Sequence, residues 1–200
     1  MPRAKSVDDQ AVLAGVHRVV QRIGPERFTL AAAGAEVGLS ASTLVQRFGS
    51  KRELLLSADR WAVERWVGGM DEAPPGDSPM ERLIAGLVYT VEADTTPGEL
   101  ANSVSLLQIA LADNEFHAST HDGARRLRSK IIERLSEAVA KGELRPGTDV
   151  DALAEMVEIV YHGAMISWAI HRTGRLTEAL TTGFERLLQP YRCEPPSAAR

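Results

Sequence analysis

The sequence predicts an all-α protein. Apolar residues recur at helical spacing along most of the chain, Ser or Thr precedes many of the apolar stretches, and Gly or Pro follows them. Such spacing marks one face of a helix, and the flanking residues are typical of helix caps and helix stops. With 44% hydrophobic and 25% charged residues among 200, the composition is that of an ordinary globular protein.

Three short helices open the chain. Apolar residues at positions 12–23 form one helical face, which ends at Gly24. Thr29 can cap a second helix that runs through residue 37, and Gly38 supplies a turn that tolerates positive φ. A third, eight- to ten-residue helix between positions 40 and 49 is too short to be stable by itself, so other elements must hold it.

Longer helices follow, and capping boxes mark three of their starts. Ser50-Lys51-Arg52-Glu53 begins a fourth helix, which ends before a loop at residues 71–77. The boxes at 78–81 and 96–99 carry proline at the first helical position and begin helices five and six. A seventh helix is expected at about residues 120–141.

The last two helices differ in their apolar pattern. Residues 151–172 are apolar on nearly every side, whereas residues 176–191 carry one apolar stripe. A helix that is apolar all round must be buried on more than one face, which favours a homodimer interface. The residues expected there are Val157, Ala164, Leu180, Phe184 and Leu187.

Charge is divided unevenly along the chain. Residues 1–60 carry nine Lys/Arg and six Asp/Glu, a net +3, whereas residues 61–200 carry fourteen and twenty-one, a net −7. An anionic partner is therefore expected for the first part only.

The single cysteine, Cys193, excludes an internal disulfide, and Met1 to Gln10 lacks an apolar signal segment. We expect a cytoplasmic protein without membrane spans.

Helices two and three, joined at Gly38, form a candidate helix-turn-helix. In this motif the second helix lies in the major groove of DNA and the first crosses the phosphate backbone. Gln46 suits adenine edges, and Arg47 suits guanine edges or phosphate. Lys51 stands at a helix N-terminus, where the dipole and free amides already favour phosphate. A small helical hairpin with a solvated polar face remains the alternative.

Residues 28–55 resemble the DNA-binding domain of the tetracycline-repressor (TetR-like) family. The matching segments are Phe28-Thr29, the small residues 31–35, Gly38-Leu39-Ser40, Thr43-Leu44-Val45, and Arg47-Phe48 with Ser50-Lys51-Arg52-Glu53-Leu54. The match covers roughly residues 10–60. The nine-helix layout extends the likeness along the chain.

This resemblance implies contacts to DNA. It implies backbone contacts from Thr29, Thr43 and Lys51. Base reading is implied for Ser40, Ala41, Ser42 and Gln46, with Arg47 nearby. Two positions depart from the family pattern, because Val45 replaces the usual tyrosine and Arg47 the usual histidine.

The resemblance also implies a domain plan. A helix-turn-helix domain would occupy residues 1–50, helix four at about 51–70 would link the domains, and residues 51–200 would bind a small molecule and dimerise. The partners would be double-stranded operator DNA, a small-molecule effector and a second copy of the chain. Polar-tipped or adaptable residues on apolar helices are the ligand candidates: Tyr89, Gln108, Tyr161, His162, Met165 and Trp168.

A metalloenzyme, or a small-molecule-binding protein with a vestigial helix-turn-helix, is the alternative from another class. Glu155, Glu158 and His162 share a helix face, and His117 and His121 are four residues apart. The first group lacks a second Glu-x-x-His on another helix. The two histidines lie beside Asp113 and Glu115, which could also bind zinc, but this segment is near a helix start, where exposed polar residues are expected. We expect no enzyme activity, cofactor or metal.

Overall fold

A computed structural model of the chain describes residues 7–74 and 76–193. Within these residues it forms nine α-helices and no β-strand, which confirms the all-α prediction. The helices are α1 (Asp9–Ile23), α2 (Leu30–Val37), α3 (Ala41–Phe48), α4 (Lys51–Glu72), α5 (Pro79–Tyr89), α6 (Pro97–Ala112), α7 (Asn114–Ala140), α8 (Val150–His171) and α9 (Leu176–Leu188).

Local capping explains where the short helices begin. The Thr29 hydroxyl accepts a hydrogen bond from the Ala32 amide at 3.0 Å, and the Ser40 hydroxyl accepts one from the Thr43 amide at 3.1 Å. Each bond satisfies an amide that has no partner inside its own helix. The predicted cap of α2 is therefore confirmed, and Ser40 caps α3 in the same way.

Two helix boundaries differ from the sequence prediction. Helix α4 continues to Glu72, through the first residues of the expected loop. Helix α7 begins at Asn114, six residues before the expected start, because the Asp113 carboxylate accepts hydrogen bonds from the amides of Glu115 (3.0 Å) and Phe116 (3.4 Å). An aspartate in this position is a good N-cap, and the turn that follows is held by the buried Phe116.

The chain forms two compact units, and helices α4 and α7 contribute residues to both. The first unit comprises Met1–Arg65 and Thr96–Gly123. Helix α6 packs on α1 in this unit, where the Asn102 side chain donates to the Gln21 carbonyl oxygen at 2.6 Å. Its largest core cluster is formed by buried residues of α1, α2, α3 and α4 together with Phe28.

The second unit comprises Trp66–Thr95 and Ala124–Arg200. Helices α8 and α9 pack along each other in this unit, and α5 packs on α9. The turn between α8 and α9 is fixed by the Trp168 indole, which donates to the Gly174 carbonyl oxygen at 3.1 Å. No helix in the described residues is both long enough and apolar enough to cross a membrane.

Candidate functional site

The turn between α2 and α3 has the geometry of a helix-turn-helix. Gly38 adopts a left-handed conformation (φ 70°), and the Leu39 amide donates to the Gly34 carbonyl oxygen at 2.9 Å. A Cβ atom at Gly34 would lie 2.3 Å from the Leu39 carbonyl oxygen. The close approach of α2 to this turn therefore requires glycine at position 34.

Helix α3 divides into a buried side and an exposed side. Leu44 is completely buried in the core of the first unit, and Phe48 packs against the same core. Ser42, Val45 and Gln46 are exposed together on the other side. An eight-residue helix held by two apolar anchors thus presents polar groups and one apolar group to the surroundings.

The remaining predicted DNA contacts lie on or beside α3. The Ser40 hydroxyl is used within the protein, since it lies 2.8 Å from the hydroxyls of both Ser42 and Thr43 and also caps α3. Ala41 and Thr43 are partly buried, while Thr29 is exposed. Lys51 is exposed, and its ammonium group lies 5.8 Å from the centroid of the Phe28 ring.

Arg47 is the predicted DNA residue whose surroundings differ most from expectation. Its guanidinium pairs with the carboxylate of Asp9 and donates to the Val7 carbonyl oxygen at 2.8 Å. Asp9 is the first residue of α1, 38 positions earlier in the chain. Nothing in the local pattern around Arg47 indicated this partner.

Two titratable side chains of the first unit, the partly buried His17 and the buried Asp59, have shifted pKa values. His17 faces the Trp61 ring at 5.7 Å, and burial, with a smaller contribution from Arg18, lowers the pKa of His17 to about 4. Burial raises the pKa of Asp59 despite a hydrogen bond from Ser119. The Asp59 Oδ2 atom has no hydrogen-bond partner among the described residues.

The second unit contains a cavity of about 420 Å³. This volume lies in the range typical of sites for small molecules. Its walls are mainly apolar and aromatic, with Glu158 as the one carboxylate in the lining. The lining residues are Trp66, Leu87, Ala124, Leu127, Ile131, Glu158, Ile159, Tyr161 and His162.

A chain of hydrogen bonds fixes the aromatic wall of the cavity. The Trp66 indole donates to the Tyr161 phenol oxygen at 3.2 Å, and that oxygen lies 2.8 Å from the Thr90 hydroxyl. Because Thr90 donates to the Leu87 carbonyl oxygen at 2.6 Å, Tyr161 must be the donor to Thr90. Burial raises the pKa of Tyr161, so the phenol stays protonated.

On the polar side of the cavity, the negative charge of Glu158 is paired with the positive charge of Arg128. Arg128 Nε donates to a Glu158 carboxylate oxygen at 2.8 Å, and this hydrogen bond holds the pKa of Arg128 above its usual value. His162 Nδ1 lies 2.9 Å from the Glu158 carbonyl oxygen. Since a carbonyl only accepts, Nδ1 carries the proton and the neutral ring has Nε2 as an acceptor.

The structure brings together two of the six predicted ligand residues. Tyr161 and His162 line the cavity, whereas Met165 is partly buried outside its lining. Trp168 is buried in the last turn of α8, and its indole bonds to the turn that follows. Tyr89 is exposed, and Gln108 is an exposed residue of the first unit. Trp66 was missed although it is an aromatic residue on a predicted helix, because its hydrogen-bond partner Tyr161 lies 95 positions away in the sequence.

The residues predicted for a dimer interface differ in burial. Val157, Leu180 and Phe184 are completely buried within the chain itself. Ala164 and Leu187 are partly buried. The exposed large apolar residues of α8 are instead Met156, Ile159, Ile166 and Ile170.

The candidate metal ligands form no cluster. Among the described residues, no group of three or more His, Cys, Asp or Glu side chains is placed to hold a metal ion. His117 and His121 stack on each other with ring centroids 6.0 Å apart. Glu158 pairs with Arg128.

Comparison with known proteins identifies relatives of both sequence and structure. Residues 79–189 match the model of the C-terminal region of BetI-type transcriptional repressors. No curated protein matches the sequence.

Two similar structures illustrate the fold. A TetR-family regulator from Cytophaga hutchinsonii has a TM-score of 0.78 at 13% identity, over 93% of this chain and 95% of that chain. A transcriptional regulator from Saccharomonospora viridis, solved in complex with choline, has a TM-score of 0.73 at 19% identity, over 93% and 97%.

Proposed function

The chain belongs to the TetR-like family of transcriptional regulators, with a C-terminal region of BetI type, and on this premise we propose that it is a repressor. It binds a palindromic operator in the cytoplasm as a homodimer and releases the DNA when a small apolar molecule binds. The family consists of regulators rather than enzymes.

The observation that carries the proposal is the exposed side of α3. Ser42 and Gln46 offer hydrogen-bonding groups for base edges, and Val45 offers a methyl-bearing surface of the kind that contacts thymine. On the opposite side of the helix, Leu44 and Phe48 pack in the core of the first unit. Thr29 and Lys51 lie outside this face, exposed at the starts of α2 and α4, where phosphates are favoured by helix N-termini.

Homodimerisation is supported by the exposed face of α8. Met156, Ile159, Ile166 and Ile170 follow one another at spacings that keep them on one side of the helix, with Gly163 in the middle. An unpaired apolar face of this kind is typical of an interface between subunits. A two-fold dimer would place two copies of α3 in successive major grooves, about 34–36 Å apart.

The effector is proposed to occupy the cavity of the second unit. The cavity wall consists largely of Leu127, Ile131 and aromatic rings, which favours an apolar ligand. Choline is a necessary second probe, because the Saccharomonospora viridis regulator binds it and because the aromatic rings of Trp66 and Tyr161 are suited to an organic cation.

The decisive experiment is a DNA titration. The purified protein is titrated on DNA from upstream of its own gene and on a shuffled fragment of the same composition, at several salt concentrations. We expect tight binding to the upstream fragment that weakens as salt rises, because bound phosphates release counterions. Equal affinity for both fragments would contradict the proposal and favour a small-molecule-binding protein with a vestigial helix-turn-helix.

Effector binding is tested by closing the cavity. Ala124→Trp places a large ring in the cavity, and Ala118→Trp introduces the same ring at an exposed position of α7. A panel of apolar molecules and choline is screened for release of operator DNA from the wild-type protein. An active compound should lose its effect on the first variant and keep it on the second.

A further inference from the structure

Arg47 occupies the place from which the recognition helix would be expected to contact DNA, yet its nitrogens are engaged within the protein. Nε lies 3.1 Å from Asp9 Oδ1, and Nη2 donates to the same oxygen. Nη1 donates to the Val7 carbonyl oxygen at 2.8 Å. The guanidinium also lies 5.7 Å from the centroid of the Phe48 ring. Each of the three guanidinium nitrogens therefore already donates one hydrogen bond within the protein, and a phosphate would have to compete with Asp9 and Val7 for this group.

We propose that Arg47 is a positioning residue, which holds the C-terminal end of α3 against the first turn of α1 and does not contact DNA, with Asp9 as its required partner. The expected effect of Arg47 on operator affinity rests on the proposed DNA-binding function. The contacts of Arg47 with Asp9 and Val7, which we call the clamp, are present in the protein without DNA.

Helix α3 needs such a clamp because of its length. A helix of eight residues is not stable alone, and its direction depends on what it packs against. Leu44 fixes its middle in the core, while Phe48 at its end is only partly buried. The contact between Arg47 and Asp9 is the additional restraint at that end, and it joins α3 to α1 directly.

The charges suit both helix ends. Arg47 stands in the last turn of α3 and Asp9 in the first turn of α1, where a positive and a negative side chain respectively are favoured by the helix dipoles. Val7 is also anchored, since it packs against the core of the first unit. The ion pair is therefore accompanied by a backbone hydrogen bond to a partly buried residue, unlike an isolated surface pair, which contributes little.

The test compares Arg47→Ala and Asp9→Asn with Lys51→Ala, a residue proposed to contact phosphate. Operator affinity is measured across a salt series. We expect the first two variants to lose affinity to a similar extent, about tenfold, while the slope of log affinity against log salt stays at the wild-type value. Lys51→Ala should reduce that slope by about one. The double variant of Arg47 and Asp9 should be no weaker than the weaker single variant.

Two results would overturn the proposal. The first is a slope reduced by about one in Arg47→Ala together with tighter binding by Asp9→Asn, which would make Arg47 a phosphate contact that Asp9 masks. The second is measured without DNA, by hydrogen exchange of the α3 amides. Faster exchange in both variants supports the clamp, and unchanged exchange refutes it. This second measurement decides the inference even if the protein failed to bind any operator.

Discussion

The indole N–H of Trp66 donates a hydrogen bond to the phenol oxygen of Tyr161, 95 positions later in the sequence, at 3.2 Å. The Tyr161 phenol in turn donates a hydrogen bond to the Thr90 hydroxyl, and that hydroxyl donates to the Leu87 carbonyl oxygen. Each donor in this series therefore has an acceptor, and the aromatic wall of the cavity is held in one arrangement. Fully satisfied polar networks of this kind make a buried site rigid.

Tyr161→Phe should destabilise the protein by about 1–3 kcal/mol, because the Trp66 indole N–H then remains buried without an acceptor. Chemical denaturation measures the change. Tyr89→Phe is the matched control, since Tyr89 is exposed and its hydroxyl can bond to water. Equal effects of the two substitutions would contradict the network's contribution to stability.

His17 should make the protein less stable in acid. Its pKa in the folded state is about 4, below the ordinary value of 6.5, so the unfolded chain gains a proton between pH 6.5 and 4 that the folded chain does not. Stability therefore falls as pH falls through this window, by at most about 3 kcal/mol, and His17 adds nothing further below it.

The measurement is thermal or urea unfolding of wild type and His17→Phe across that pH range. Phenylalanine keeps a ring beside Trp61 and cannot ionise. The difference in unfolding free energy between the two proteins should change with pH across this window. A wild-type-like slope in His17→Phe would count against burial as the cause.

Asp59 is expected to make the protein less stable as pH rises, the opposite of the effect of His17. Burial raises its pKa above 3.8, so the folded state holds a proton that the unfolded state releases as pH rises from about 3.8. Stability declines through this window and stays lower above it. Asp59→Asn should therefore be more stable than wild type at neutral pH, by about 1 kcal/mol, and the gain should vanish near pH 3. Asp94→Asn, in an exposed loop, serves as control.

Ile166→Asp should convert the protein to a monomer, because it places a charge in the middle of the exposed face of α8 proposed as the dimer interface. Sedimentation or light scattering at several concentrations gives the mass. Leu111→Asp provides the same chemistry on α6, where Leu111 is 70% exposed, and should leave the dimer intact. A monomeric wild-type protein, or a dimer in both variants, would refute the proposed interface.

Gln46→Ala should relax specificity at one base pair of each operator half-site. A bidentate contact to a base edge discriminates by about 1–3 kcal/mol, so the variant should bind the operator and a version substituted at that base pair with similar affinity. A set of single-substituted operators identifies the position. Gln108→Ala, in the same unit but on α6, should keep the wild-type preference.

Much of the fold was predictable because helix starts depend on neighbours a few residues apart. Thr29 and Ser40 cap the amides three residues ahead of them, and Thr96 and Glu99 exchange hydrogen bonds as predicted. The predicted start of α7, at about residue 120, was wrong because Asp113 caps the helix six residues earlier. The anchoring of α3 by Leu44 and Phe48 also follows from spacing within one helix.

The sequence by itself determined the helix order, the turn at Gly38 and the exposed polar residues of α3, since each depends on local geometry and a single helical period. Only the tertiary structure decided which partners meet across long separations. It paired Arg47 with Asp9, and it brought Trp66 to Tyr161. It also decided which face of α8 is buried, because a helix that is apolar on all sides carries no periodic signal, and its packing against α9 selects Val157 for the core and leaves Ile159 exposed.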